Sequence, residues 1–243
     1  MDSNKTNFKM KNPKWSIVIP ALNEEKYLPR LLDSIGMQDF KDHEIIVADS
    51  DSDDNTVKIA KKYGCKVLKG RRGNPGINRN IGARKAKGES ILFLDADALL
   101  PGGFLRENIK EFERKNLDVA GTTGWPTGGN PLDWTIRFCA NMGVRALKKL
   151  KPSIEGYCIF AKKNVHDGTL FDEKVTFAED SEYVERIVKN GGKFGILGKS
   201  LRVSMRRFRK RGKIRMSLFY LKVLYQRFFG EIRREIDYEF GKF

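Results

Sequence analysis

The chain has 243 residues, 40% of them hydrophobic and 11% aromatic, which excludes a disordered segment or a disulfide-held miniprotein and fits one large domain with a buried core. Its formal net charge of +16, from 47 Lys and Arg against 31 Asp and Glu, favours polyanionic partners. No stretch approaches the roughly 20 apolar residues of a membrane span, and the three scattered cysteines, Cys65, Cys139 and Cys158, lack the spacing of a zinc site or a disulfide framework and read as buried thiols.

Residues 1–14 form a polar, basic tail without the apolar core of a secretory signal, so a cytoplasmic location is expected. The first strand runs from Trp15 to Ile19 and stops at Pro20. A helix follows over Glu24 to Ile35, where Leu28, Leu31, Leu32 and Ile35 recur at i, i+3, i+4 and i+7. Glu44 to Ala48 is the second strand, the acidic loop Asp49 to Asp54 leads into a helix over Thr56 to Tyr63, and Lys66 to Leu68 is a short third strand. Gly70 to Gly76 reads as a loop, Asn78 to Lys87 as a helix, and Ser90 to Leu94 as the fourth strand. Pro101 opens a helix with an apolar face of Leu105, Ile109 and Phe112.

Past Leu117 the pattern loosens. Val119 to Gly121 is a short strand, Gly124 to Pro131 a Gly/Pro-rich loop, Leu132 to Leu150 a helix and Gly156 to Ala161 a buried strand. His166 falls in a loop. A helix over Glu179 to Asn190 ends at Gly191-Gly192, with short strands near Lys193 to Leu197 and Leu201 to Ser204, and a last helix over Ile214 to Phe229. The alternation of strands and helices predicts an α/β fold around a largely parallel sheet. Nine basic residues and no acid lie between Lys199 and Arg215.

Acidic clusters follow the first, second and fourth strands: Asn23-Glu24-Glu25, the Asp49 to Asp54 run, and Asp95 with Asp97. In a parallel sheet such strand ends face one crevice. Two carboxylates as close as Asp95 and Asp97 repel unless a cation joins them, and a hard divalent metal bridging to a phosphate would serve.

Taken together, Ile17-Val-Ile-Pro20-Ala-Leu-Asn23-Glu24, the Ile45 to Thr56 segment, Arg79-Asn80-Ile-Gly82, Leu92-Phe-Leu-Asp95-Ala-Asp97 and Glu179-Asp180 resemble the family 2 glycosyltransferases of GT-A fold. The resemblance covers most of the chain up to about Leu197. It implies a GT-A domain over residues 15–204, a single domain with a twisted sheet flanked by helices, and a basic helical extension over 205–243. It further implies an inverting, metal-assisted transfer of one sugar from a nucleotide-diphospho-sugar, a UDP- or GDP-sugar, to an acceptor hydroxyl or phosphate, carried by a lipid-linked group, a glycan or a small metabolite.

The roles implied follow the motifs. Pro20, Asn23, Glu24 and Asp49 line the nucleotide pocket, with Asp49 accepting from a base N–H. Arg79 offers donors to the diphosphate; otherwise it is an exposed helix arginine. Asp97 holds Mn²⁺ or Mg²⁺, supported by Asp95, and Arg206 or Arg207 closes over the leaving diphosphate. Asp180 is the general base, with Glu179 beside it on the acceptor side. The Asp49-Ser50-Asp51-Ser52 run keeps the first Asp of the Asp-Asp-Gly-Ser of many relatives but not the second, so the base contact of that second position is not carried over. The Gln-x-x-Arg-Trp element and the membrane spans of processive synthases are absent, which favours single-sugar transfer.

Two other readings explain less. A sugar-phosphate nucleotidyltransferase would carry a Gly-rich turn where Pro20-Ala-Leu-Asn-Glu-Glu stands. A non-catalytic polyanion-binding module accounts for the basic segment but not for the strand-end acids. An anionic membrane surface touching the basic tail is a further expected partner; nucleic acid is not.

Overall fold

The computed structural model describes residues 12–147, 150–175, 178–213, 215–218 and 222. Residues 1–11 of the expected tail and most of the helix expected over Ile214 to Phe229 lie outside them.

Strand β1 (Trp15–Ala21) is buried except at Pro20, as befits a central strand covered on both faces. It runs parallel to β2 (His43–Asp49) on one side and β4 (Ser90–Leu94) on the other, with Ile17 opposite both Ile45 and Leu92. Beyond β2 lies β3 (Lys66–Lys69), also parallel. On the far side of β4, β7 (Cys158–Lys162) is antiparallel to both β4 and β5 (Val119–Gly121), and β8 (Phe194–Ile196) pairs parallel with β5. The seven strands are ordered β3-β2-β1-β4-β7-β5-β8. A small second sheet pairs β6 (Gly124–Pro126) with β9 (Leu201–Val203).

Alternation along β1 divides the core between the two faces. Ile17 and Ile19 pack with Leu28, Leu31 and Ile35 of α1 (Leu28–Gly36) and with Phe104 and Phe112 of α4 (Phe104–Arg114). Val18 faces the other way, toward Phe93, Phe171 and Tyr183, beneath α3 (Pro75–Ala83) and α7 (Glu179–Lys189). Helix α3 lies so close to β1 that a Cβ built on Gly82 would stand 2.3 Å from Val18 Cγ1. That contact gives the Arg79-Asn80-Ile-Gly82 element its need for glycine.

The remaining helices are α2 (Thr56–Lys62), α5 (Pro131–Leu147), α6 (Lys163–Thr169) and α8 (Arg206–Arg211). Several boundaries differ from the sequence expectation. Helix α1 begins at Leu28 rather than Glu24, because Glu24 to Tyr27 forms a turn and Pro29 takes the first helical turn. Helix α3 begins at Pro75 and ends at Ala83, capped by Asn74, whose side chain accepts from the Ile77 N–H at 3.1 Å. The expected loop over Gly124 to Pro131 contains β6, and β7 starts at Cys158, not Gly156. His166 is no loop residue: it lies within α6, fully buried. Cys65 and Cys158 are buried as expected, but Cys139 is exposed.

Candidate active site at the carboxyl ends of β1, β2 and β4

Because β1 lies between β2 and β4, the acidic clusters that follow these three strands end at adjacent positions along one edge of the sheet. Loop hydrogen bonds join the first two. The Asn23 N–H donates to Ser52 Oγ at 2.9 Å, the Asp53 N–H to Asn23 Oδ1 at 2.8 Å, and the Glu24 N–H to Thr56 Oγ1 at 2.8 Å. Asn23 adopts φ 55 to make these contacts, a left-handed conformation that asparagine tolerates better than most residues.

The acidic run after β2 divides its duties. Asp54 accepts from the Thr56 N–H at 2.9 Å and the Glu25 N–H at 3.0 Å, tying loop to helix, and Asp53 pairs with Arg72 at 2.6 Å. Asp49 is different. It is buried, Oδ2 accepts from the Ser52 N–H at 3.1 Å, and Oδ1 has no partner among the described residues. A buried carboxylate oxygen left open is costly unless a donor reaches it.

Asp95 and Asp97 are each met by an arginine, which supplies the cation that their proximity demands. Arg79 Nη2 stands 3.0 Å from Asp95 Oδ1, and Arg206 Nε stands 3.0 Å from Asp97 Oδ2. Arg206, first residue of α8, also forks onto Glu24 at 2.8 and 2.5 Å and lies 4.7 Å over the Tyr27 ring. Burial raises the Glu24 and Asp97 carboxyls above their ordinary values, and Arg206 opposes the rise in both; Arg207 adds to that opposition at Asp97. The segment past residue 204 thus reaches into the crevice. A cavity of about 140 Å³ remains there, lined by Tyr27, Arg30, Asp97, Leu99, Thr127, Ser204 and Arg209.

Arg79 is not an exposed helix arginine. It is 1% exposed, its Nη1 pairs with Glu179 Oε1 at 2.8 Å, its Nη2 also donates to the Gly156 carbonyl at 2.9 Å, and its guanidinium lies 5.3 Å from the Phe171 ring centre. Burial works against its charge, yet the carboxylates of Asp95, Glu179 and Asp180 outweigh it and hold the guanidinium protonated. It thereby links the acid after β4 to the acids that open α7. Asp180 Oδ1 accepts from the Ser181 N–H at 2.6 Å. Its Oδ2 and Arg79 Nη2 crowd Gly156, where an added Cβ would meet them at 3.0 and 2.9 Å.

Sequence reasoning missed Tyr27, Gly156, Tyr157 and Arg137. Tyr157 accepts the Asp95 N–H through its carbonyl at 3.1 Å, and its hydroxyl receives Arg137 Nη2 at 3.1 Å. Burial pushes the Tyr157 phenol well above its ordinary value. Nothing in the sequence singles them out: Asp133, Arg137 and Asn141 recur at i, i+4 and i+8, the same pattern that an ordinary solvated helix face shows. Pro20, by contrast, is a β1 residue paired with Ala48.

For a metal, the acids at these strand ends offer oxygen ligands, and among the described residues no group of three or more His, Cys, Asp or Glu is gathered to hold an ion. Mg²⁺-type sites need no such group, since one or two carboxylates together with substrate phosphates suffice. Asp97 with Asp95 fits that requirement. Among the described residues no helix is long and apolar enough to cross a membrane.

Comparison with known proteins agrees with this layout. Residues 16–167 match the Glycosyl transferase family 2 model. The chain is 27% identical over 197 residues to the poly(ribitol-phosphate) beta-N-acetylglucosaminyltransferase TarS of Staphylococcus aureus, covering 76% of this chain and 34% of that protein. It is 34% identical over 173 residues to TarP of the same species, also a poly(ribitol-phosphate) beta-N-acetylglucosaminyltransferase, covering 68% of this chain and 46% of that one. The chain therefore spans about a third of TarS and under half of TarP. In fold it resembles the Pyrobaculum calidifontis mannosyltransferase PcManGT in complex with GDP-Man and Mn²⁺, with TM-score 0.70, 23% identity and coverage of 90% of this chain and 64% of that one. It also resembles TarS 1-349 in complex with UDP-GlcNAc, with TM-score 0.63, 23% identity and coverage of 79% and 58%. With the GT-A architecture and its strand-end acids in place, and the family pattern running from β1 into α6, the chain belongs to glycosyl transferase family 2.

Proposed function

We propose that the protein transfers a single sugar from a nucleotide-diphospho-sugar to an acceptor with inversion, assisted by Mn²⁺ or Mg²⁺. The observation that carries this reading is the convergence of Glu24, Asp49 and the Asp95-Asp97 pair at the ends of three adjacent parallel strands. Relatives in complex with UDP-GlcNAc and with GDP-Man support a donor of the UDP- or GDP-sugar class.

In this reading Asp49 Oδ1 receives an N–H of the nucleotide base, and Asn23, Pro20 and Glu24 shape the same pocket. Asp97, with Asp95, would hold the divalent ion, which supplies charge stabilisation for the departing diphosphate. Arg206 and Arg207 turn their guanidinium groups from the carboxylates of the crevice toward the diphosphate oxygens. Asp180 takes the proton of the acceptor hydroxyl as its oxygen forms the bond to the anomeric carbon and the bond to the nucleoside diphosphate breaks. Glu179 stays paired with Arg79 and keeps the start of α7 in register with β4. The acceptor, a lipid-linked group or a glycan, enters from the α7 side.

The test is release of nucleoside diphosphate from a panel of UDP- and GDP-sugars with Mn²⁺ or Mg²⁺, with and without EDTA. Release specific to one donor and abolished by EDTA is expected. Failure of every donor to bind in the presence of metal would overturn the reading.

A further inference from the structure

Helix α5 turns one polar stripe inward. Its residues Asp133, Arg137 and Asn141 are 2%, 7% and 5% exposed, whereas Trp134, Phe138 and Met142, one position further along, are 39%, 54% and 51% exposed. A surface helix ordinarily does the reverse. The polar side has partners that explain its burial: Arg137 and Asn141 both donate to the Gly124 carbonyl, at 3.2 and 3.0 Å, and Arg137 pairs with Glu155 at 2.7 Å. The apolar side leaves a continuous stripe of three large side chains to water, spaced at i, i+4 and i+8. A stripe of this kind marks a contact surface.

The border of the stripe is cationic. Arg202 lies 5.4 Å over the Trp134 ring, which also stacks on Trp125 at 5.7 Å. Arg145 is exposed one turn beyond Met142. Lys213 reaches Asp133 at 2.7 Å and Asn130 at 2.8 Å, which brings the basic segment that contains α8 against the start of α5. That segment, Lys199 to Arg215, holds nine cations and no acid. A twofold pairing of this face with a second copy would set two such cationic borders against each other. An apolar stripe with a cationic border instead matches the interface of an anionic bilayer, where acyl chains receive the first and lipid phosphates the second.

We infer that the exposed Trp134-Phe138-Met142 stripe of α5, with its basic border, is the face by which the protein lies on an anionic lipid bilayer. The inference concerns attachment and is independent of which sugar is transferred, or whether one is.

The test is co-sedimentation of the full chain with phosphatidylcholine vesicles with and without phosphatidylglycerol. Binding is expected only when phosphatidylglycerol is present, weakening as salt is raised. The double variant Phe138→Ser/Met142→Ser should lower the vesicle-bound fraction by about tenfold with an unchanged thermal melt, since both side chains are exposed. Vesicles should shift the tryptophan emission to shorter wavelength, and Trp134→Phe should remove most of that shift. Equal vesicle binding by the double variant and the parent would overturn the inference, as would no binding of the parent to phosphatidylglycerol. A parent dimer that the double variant dissociates, with no vesicle binding, would assign the stripe to self-association instead.

Discussion

Arg79 and Glu179 lie 100 residues apart in the chain, yet their side chains meet at 2.8 Å in the interior, where the guanidinium also holds Asp95. Removing it strands two carboxylates. Arg79→Met should destabilise the protein by roughly 3–5 kcal/mol, the usual consequence of breaking a buried ion pair from one side. Arg79→Lys should fall between variant and parent, because a lysine keeps the charge and loses the fork. Urea denaturation measures both; a loss below about 1 kcal/mol for Arg79→Met would contradict the role given to this pair.

Gly156 is the point where that network meets Asp180. Gly156→Ala places a methyl against Arg79 Nη2 and Asp180 Oδ2, at 2.9 and 3.0 Å before any relaxation. The expected cost is about 1–3 kcal/mol of stability. Under the proposed mechanism, turnover should also fall by at least about tenfold while donor affinity changes little. Donor titration and initial rates on the same sample separate the two effects, and an unaltered rate would remove Asp180 from this environment.

The two aspartate roles separate in the same way. Asp97→Ala should abolish metal-dependent donor binding measured calorimetrically. Asp180→Asn should leave binding intact and lower transfer by roughly 10²-fold or more, the scale of a lost general base. Transfer by Asp180→Asn at the parent rate would sink its assignment.

Stability should depend on pH through Glu24 and Asp97. Their carboxyls, ordinarily near 4.5 and 3.8, are raised by burial and pulled back by Arg206. A raised carboxyl keeps its proton in the folded state after the unfolded chain has lost it, so stability declines as pH climbs through that window. Without Arg206 the window extends upward. The deficit of Arg206→Ala relative to the parent should therefore be smallest near about pH 4 and grow by ~1–3 kcal/mol toward pH 7. Chemical denaturation across pH reads this directly; a gap independent of pH would mean that Arg206 does not control these groups.

His166 has the opposite sign. Burial beside Phe93, Phe171 and Tyr183 lowers its imidazole from 6.5 to about 4, and Nδ1 lies 3.1 Å from the Tyr183 hydroxyl. The neutral ring contributes stability that is whole above pH 6.5 and lost as pH falls through about 4. His166→Gln should flatten that acid limb, and an unchanged limb would count against it.

Much of the architecture was legible because its signals are local. The apolar run of β1, the i, i+3, i+4, i+7 pattern of α1 and the acids after β1, β2 and β4 all lie within a few residues of the features they mark. Boundaries depart from the periodic pattern where a local competitor acts: Pro29 and the Glu24 turn delay α1, and Asn74-Pro75 start α3 early. The sequence around His166 reads as a loop because a seven-residue helix has too few positions to show a period.

The sequence by itself determined the alternation of strand and helix, the placement of carboxylates at strand ends and the basic character of the segment after β9, all consequences of residue type and near-neighbour spacing. Only the tertiary structure decided which cations those carboxylates meet. Arg206 reaches Glu24 across 182 residues and Arg79 reaches Glu179 across 100, pairings that exist only once packing has closed the intervening loops. It also decided that α5 turns Asp133, Arg137 and Asn141 inward, because Gly124, Glu155 and Lys213 are there to satisfy them. Buried polar groups follow their partners, and partners this far apart in sequence are chosen by the fold.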